Sequence, residues 1–268
     1  MKKLLLLFYV SVLLVVFTGC RHTSPQEQPV AVDSATAGEA QDSVPDPRPG
    51  DFVVVTDVVP DAILEIRYYS TYNFIGDRIP GYEEPIAILT RAAAEALKEA
   101  SDQFEELGYR IKIYDAYRPQ CAVDYFVKWA KDINDVRMKD YFYPELEKSV
   151  LFPQGFIATK SGHTRGSTVD LTLFDMNTGK EVDMGCTFDY FGKASYPMLQ
   201  PGEAAGAYQP INRTQYENRM TLRKVMLAHG FKPYANEWWH FTLKNEPYPD
   251  TYFNFPVSRE GVESGNDF

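Results

Sequence analysis

One ten-residue run, Ser161-Gly-His-Thr-Arg-Gly-Ser-Thr-Val-Asp170, constrains this chain more than any other. It sets His163 and Asp170 seven residues apart, across a turn at Arg165-Gly166 and into an alternating segment. Thr168, Asp170 and Thr172 alternate with Val169, Leu171 and Leu173, which predicts a half-buried strand with one polar face. Asp170 then lies beside whatever His163 reaches across the turn, and Gly166 permits the tight backbone there. A second run, Glu237-Trp-Trp-His240, places a glutamate three residues before a histidine. Only four histidines exist. His22 falls in a polar stretch, and His229 beside Gly230 reads as a helix C-terminal residue. His163 and His240 are therefore the histidines left for a metal.

Two imidazoles and a carboxylate suit zinc, and three protein ligands leave a fourth position for water or substrate, the pattern of a catalytic site. Neutral histidines with one aspartate leave such a site positively charged, able to polarise a carbonyl and acidify a bound water. Glu237 is then the candidate base. Trp238, Trp239 and the following Phe241-Thr-Leu243 favour a strand, on which residues three apart face opposite ways. A bend near Glu237 is therefore predicted, bringing its carboxylate to the site while His240 ligates the ion. Taken singly, His163 reads as a turn residue, Asp170 as a solvated strand residue and Glu237 as a surface charge. Their combination points to one zinc ion per chain.

A third run, Tyr109-Arg-Ile-Lys-Ile-Tyr-Asp115, reads as a strand with Ile111 and Ile113 inward. It delivers Asp115 and Arg118 to its end, with Pro119 where a helix can begin. An arginine there can present a fixed fork of donors to an oxyanion, with Asp115 as its orienting partner. The plainer reading is a structural Asp115–Arg118 ion pair.

The runs SGHTRGSTVDLTL, EWWHF and YDAYRP resemble the D-alanyl-D-alanine dipeptidases of the vancomycin-resistance type, within the wider group of zinc D,D-peptidases. The resemblance extends from about Asp51 to about Pro256. It implies a single α+β domain with a central, mainly antiparallel sheet flanked by helices. It implies zinc ligation by His163, Asp170 and His240, a catalytic base in Glu237 and transition-state support from Arg118. Ser161 matches a substrate-contacting position, and Asp189, closing the run that begins at Asp183, matches an aspartate that supports the active-site surroundings. The implied substrate is the small zwitterion D-alanyl-D-alanine, whose ammonium group Ser161 and a free oxygen of Asp170 are placed to greet. The alternatives are a D,D-carboxypeptidase or endopeptidase on murein stem peptides, which needs an open cleft, and an envelope lipoprotein that binds without turnover.

Lys2 and Lys3 precede a short apolar run ending at Thr18-Gly19-Cys20. The run is shorter than the ~20 residues of a membrane-spanning helix, so residues 1–19 read as a signal peptide. Cys20 resembles a lipidated N-terminus, although Phe17 stands where an aliphatic residue is usual. The expected location is the cell envelope, on the periplasmic side of a membrane. Residues 20–50 are rich in Pro, Ser, Ala and acids and form a flexible tether. The catalytic domain spans 51–257, and 258–268 is a polar tail expected to fray. With 37 acidic against 27 basic residues and no basic run in the mature chain, nucleic acid is excluded as a partner. No protein partner is evident.

Within the domain, Phe52-Val-Val-Val55 and Ala62-Ile-Leu-Glu-Ile66 read as strands. Thr90 can cap an Ala-rich helix to Leu107, stopped by Gly108. A helix is expected over 122–133, and another from Thr214, where Thr-Gln-Tyr-Glu217 forms a capping box. The aromatic run from Tyr68 to Phe74 lines a cleft or fills the core, and the tract from Cys121 to Phe156 is the expected cleft wall. Cys121 and Cys186 can pair in an oxidising compartment, with separate thiols as the alternative.

Overall fold

The structure, a computed structural model, describes residues 50–263. The leader, Cys20 and the tether up to residue 49 lie outside the described residues, as do residues 264–268. The chain runs β1 (Phe52–Val54), α1 (Val55–Val58), β2 (Ile63–Leu64), β3 (Ile88–Thr90), α2 (Arg91–Glu106), β4 (Tyr109–Asp115), α3 (Gln120–Lys131), α4 (Lys139–Phe142) and α5 (Lys148–Leu151). It continues through β5 (Thr168–Asp175), β6 (Lys180–Glu181), α6 (Arg213–Ala228), β7 (Phe231–Pro233), β8 (His240–Leu243) and α7 (Arg259–Glu263). The central sheet has the order β2-β4-β5-β8-β7, with β6 paired to the far end of β5. Only the β2–β4 pairing is parallel. This is the expected α+β domain with a mainly antiparallel sheet and flanking helices. The first strand pairs instead with β3 in a separate ribbon.

Alanines make α2 a strong helix former, and Thr90 caps it by accepting from the Ala93 N–H. Ala93, Ala94, Leu97, Ala100 and Phe104 fall on one stripe and are fully buried, against β4 and α6. Burial of Leu97 and Phe104 contributes about 1.5–3 kcal/mol each. Gly108 ends the helix at φ 86°, a left-handed conformation that glycine adopts without strain. Ile111 and Ile113 then point inward from β4, as read from the sequence.

Strand β5 departs from the half-buried expectation, because residues 168–173 are buried on both faces. Its polar face does not meet solvent. Thr168 and Thr242 hydroxyls pair at 2.9 Å across to β8, and Asp170 faces a cavity roofed by aromatic side chains. Alternation identified the polar face correctly but could not reveal that a functional site covers it.

Smaller corrections follow from local chemistry. The capping box of α6 is Asn212 with Gln215, two residues before the expected frame. Asn212 Oδ1 accepts from the Gln215 N–H at 2.9 Å, and Gln215 Oε1 accepts from the Asn212 N–H at 2.8 Å. The tail does not fray at 258, because Arg259 clamps Asp57 through two hydrogen bonds of 2.8 and 2.9 Å and Val262 is buried. Cys121 and Cys186 are free thiols, with sulfurs against the Pro80 and Ala194 carbonyls respectively. Among the described residues no helix is long and apolar enough to cross a membrane.

The expected cleft wall is pinned by Lys148. Its buried ammonium donates to the Trp129 and Asp132 carbonyls, at 2.9 and 2.8 Å, and sits 3.8 Å from the Trp129 ring centroid. It thereby satisfies the last carbonyls of α3, and burial pulls its pKa down. Lys148→Met should lower unfolding stability by about 2 kcal/mol, since two charge-assisted bonds disappear and leave buried acceptors unpaired. Urea denaturation of the two proteins checks this.

Candidate active site

The sheet itself assembles the site. Asp115 on β4 lies opposite Asp170 on β5, after a register shift past Ile113. Asp170 lies opposite His240 on β8. Three central strands thus present Asp115, Asp170 and His240 in one row. His163 arrives from a single 3-10 turn, His163–Arg165, closed by Gly166 at φ 79°. A Cβ at Gly166 would stand 2.3 Å from the Phe52 ring, so glycine is required there by packing as well as by φ.

His163 Nδ1 lies 2.7 Å from the Ala116 carbonyl, an acceptor only, so this nitrogen carries the hydrogen. Nε2 of the neutral ring then offers a lone pair. It faces Asp170 Oδ2 at 3.2 Å and His240 Nδ1 at 3.3 Å, while His240 Nδ1 lies 3.1 Å from Asp170 Oδ1. Asp170 Oδ1 is buried without a hydrogen-bond partner of good geometry. Lone pairs of two buried side chains and of the half-buried His240 therefore converge on one point, which is what a bound cation satisfies. The nitrogen and carboxylate donors fit zinc, and the Ala116 carbonyl fixes the ring that would hold it.

The charges agree with this reading. Burial opposes ionisation of Asp170, yet His163 and His240 hold its carboxyl below the ordinary carboxylate range. Burial lowers His163. His240 is pulled down by burial but raised overall by the adjacent Asp170 carboxylate and by Glu237. Glu237 stands in the turn before β8, where the sequence required a bend, with Oε2 at 3.4 Å from His240 Nδ1. Burial and the nearby Asp170 charge push its pKa up to about 7.

Arg118 is gripped from one side. Its Nε and Nη2 donate to Asp115 Oδ2 at 2.9 and 2.8 Å, and Tyr82 Oη donates to Asp115 Oδ1 at 2.7 Å. The guanidinium lies over the Tyr68 and Phe126 rings at 4.9 and 5.2 Å. None of these bonds uses Nη1, and Arg118 itself lines the cavity. Burial alone would raise the Asp115 pKa and does so despite Arg118, while neighbouring acids and tyrosines keep Arg118 firmly charged. Asp189 accepts from Tyr68 Oη at 2.9 Å and adopts a left-handed φ of 61°. Such a conformation in a non-glycine residue marks backbone held by its surroundings. Burial, reinforced by Asp170, raises its carboxyl well above the usual range.

His163, Asp170, His240, Glu237, Arg118, Asp189 and Tyr68 line one cavity of about 240 Å³, with Asp115 and Tyr82 behind Arg118. Its far wall comes from α3, through Val123 and Phe126, and from residues 155–158.

A family profile described as D-ala-D-ala dipeptidase, peptidase family M15, matches residues 48–258. The chain belongs to this family. It is 41% identical over 207 residues to a D-alanyl-D-alanine dipeptidase of Enterococcus faecalis, covering 77% of this chain and 98% of that relative. It is 39% identical over 209 residues to one from Streptomyces coelicolor, covering 78% and 99% respectively. An Escherichia coli relative of the same name is 30% identical over 187 residues, covering 69% and 81%.

For this M15 peptidase, the structure brings His163, Asp170, His240, Glu237, Arg118, Asp115, Asp189 and Ser161 into or against one cavity. Ser161 Oγ accepts from the His163 N–H at 3.3 Å. Both Asp170 oxygens face histidines, so neither is free to greet an ammonium group; Asp189 and Glu237 are the carboxylates that face the cavity instead. Tyr82 and Lys160 carried no sequence signal. Tyr68 did, as part of the aromatic run, and it resolves that ambiguity by serving both core and site.

Proposed function

We propose that this chain is an exported zinc dipeptidase that hydrolyses D-alanyl-D-alanine to two D-alanines, with Glu237 as base, in cell-wall peptide turnover. The observation that carries the reading is the convergence of a three-residue candidate cation site, a half-buried glutamate and a clamped arginine on one small cavity. The names of the relatives support the substrate, and the leader ending at Cys20 supports export and lipid anchoring. Hydrolysis outside the cytoplasmic membrane cannot deplete a cytoplasmic precursor pool, so turnover or recovery fits an exported enzyme better than resistance.

His163, Asp170 and His240 would hold a zinc ion, which would supply Lewis acidity for the scissile carbonyl and acidify water. Glu237 takes the proton of the attacking water and passes it to the leaving amine. Arg118 Nη1 donates to the developing oxyanion, with Asp115 and Tyr82 fixing the guanidinium beforehand. Asp189 meets the substrate ammonium, whose positive charge favours the ionised carboxylate against the burial that raises its pKa.

Two loops meet beside the cavity. Tyr234 Oη donates to the Gly155 carbonyl at 3.4 Å and Asn236 Nδ2 to the Gln154 carbonyl at 3.5 Å. This bridge supports a small substrate over a polymeric one. The test is D-alanine release by the zinc-loaded domain from D-Ala-D-Ala, its N-acetylated form and a murein pentapeptide. Cleavage of the free dipeptide alone is expected. Release from the blocked dipeptide or pentapeptide would make the enzyme a carboxypeptidase, and zinc binding without release from any of the three would favour a binding role.

A further inference from the structure

We infer that Lys160 recognises the free carboxylate of the substrate and makes the site selective for an unblocked carboxyl terminus. The inference rests on the dipeptidase reading. A zwitterionic dipeptide must satisfy a charge at each end, and the cavity treats the two ends unequally. Asp189 offers a carboxylate for the ammonium group. The cations lining the cavity, His aside, are Arg118 and Lys160.

Arg118 is already committed. Two of its donor nitrogens bond Asp115, and the group that remains, Nη1, is assigned to the oxyanion. Lys160 is not committed to any anion. Among the described residues its only recorded partner is the Tyr252 ring, with Nζ 4.6 Å from the centroid. Arg165 also lies near that ring, 5.9 Å from its centroid, and is locked to Glu246 at 2.7 and 2.9 Å. A cation held over an aromatic face has its position restrained without spending its hydrogen-bond donors. Lys160, a residue of the cavity wall, thus keeps its ammonium donors uncommitted to any anion among the described residues.

Its place in the chain matches the task. Lys160 adjoins Ser161, whose hydroxyl bonds the His163 N–H, so the segment that carries a ligand histidine also carries this cation. In a dipeptide the carboxylate lies one residue beyond the scissile bond, about 3.5 Å along an extended chain. Recognition at Lys160 would thereby set the scissile carbonyl beside the histidine pair. Serine can add a hydroxyl donor to the same carboxylate, since its oxygen already accepts from the backbone. An amide in place of the carboxylate would bring an uncharged terminus to a lysine and forfeit the charge-assisted bond.

The experiment compares zinc-loaded parent, Lys160→Met and Lys160→Arg on D-Ala-D-Ala and on its C-terminal amide, with metal content measured for each. The side chain is exposed, so folding is not at issue. Lys160→Met is expected to cut the ratio of kcat/KM for the free acid to that for the amide about tenfold, chiefly through KM. Lys160→Arg should restore most of the ratio, because the charge is kept. An unchanged ratio in Lys160→Met, with the parent active on the dipeptide, overturns this inference alone. A parent that does not cleave the dipeptide overturns the dipeptidase reading and this inference with it.

Discussion

Replacing Glu237 with glutamine is expected to lower kcat for D-Ala-D-Ala by about three orders of magnitude while leaving zinc content unchanged. Glutamine keeps the shape and the hydrogen-bonding capacity of the side chain but cannot hold a transferred proton. The position of the carboxylate motivates the magnitude. It stands 3.4 Å from His240 Nδ1, inside the cavity yet outside the trio whose lone pairs converge. Burial has already pushed its pKa up to about 7, the range in which a carboxylate accepts and returns a proton with least loss. Removal of His163 or His240 should have the opposite signature, with zinc content falling before any kinetic property can be assigned. Steady-state kinetics beside atomic absorption of the same preparations separates the two. Near-normal turnover of Glu237→Gln with zinc bound would show that another group moves the proton.

The cluster of His163, Asp170 and His240 was legible because short spacing across a turn and strand alternation translate directly into position. His163 and Asp170 flank one turn, and alternation around Asp170 fixed which face it occupies. The bend at Glu237 was legible for a converse reason, since a straight strand would have turned its carboxylate away from His240. What the sequence withheld was long-range pairing. Nothing near Gly81-Tyr82 announces that the Tyr82 hydroxyl travels to Asp115, 33 positions on. Nothing near Lys160 shows that its ammonium stays free of carboxylates, because that depends on where every acid in the fold ends up. The misplaced cap of α6 has a local cause. Asn212-x-x-Gln215 and Thr214-x-x-Glu217 are overlapping frames of one pattern, and asparagine at the earlier position is at least as good a cap as threonine. The fully buried β5 shows the limit of periodicity, which reports polarity by face but not what covers that face.

Arg118→Lys is the second large effect, with kcat/KM expected to fall about a hundredfold while the fold persists. The buried Asp115 carboxylate requires a cation, and lysine supplies one, so the variant avoids the uncompensated charge that alanine would leave at a cost of about 3–5 kcal/mol. Lysine cannot, however, hold Asp115 through two nitrogens and still aim a third donor into the cavity. Its ammonium is a compact point charge, which the Asp115 oxygen and the Asp170 oxygen, 3.8 Å from the present Nη2, would draw towards themselves. The Tyr68 and Phe126 rings would also lose the planar group that stacks on them. If Arg118 were only half of a structural ion pair, lysine would preserve turnover, and a thermal melt would show whatever change there was. If it donates to the oxyanion, the melt should move little and the loss should appear in kcat, because the missing interaction forms only as the carbonyl oxygen acquires charge. Measuring Tm and kcat on the same zinc-loaded variant therefore distinguishes a scaffold arginine from a catalytic one.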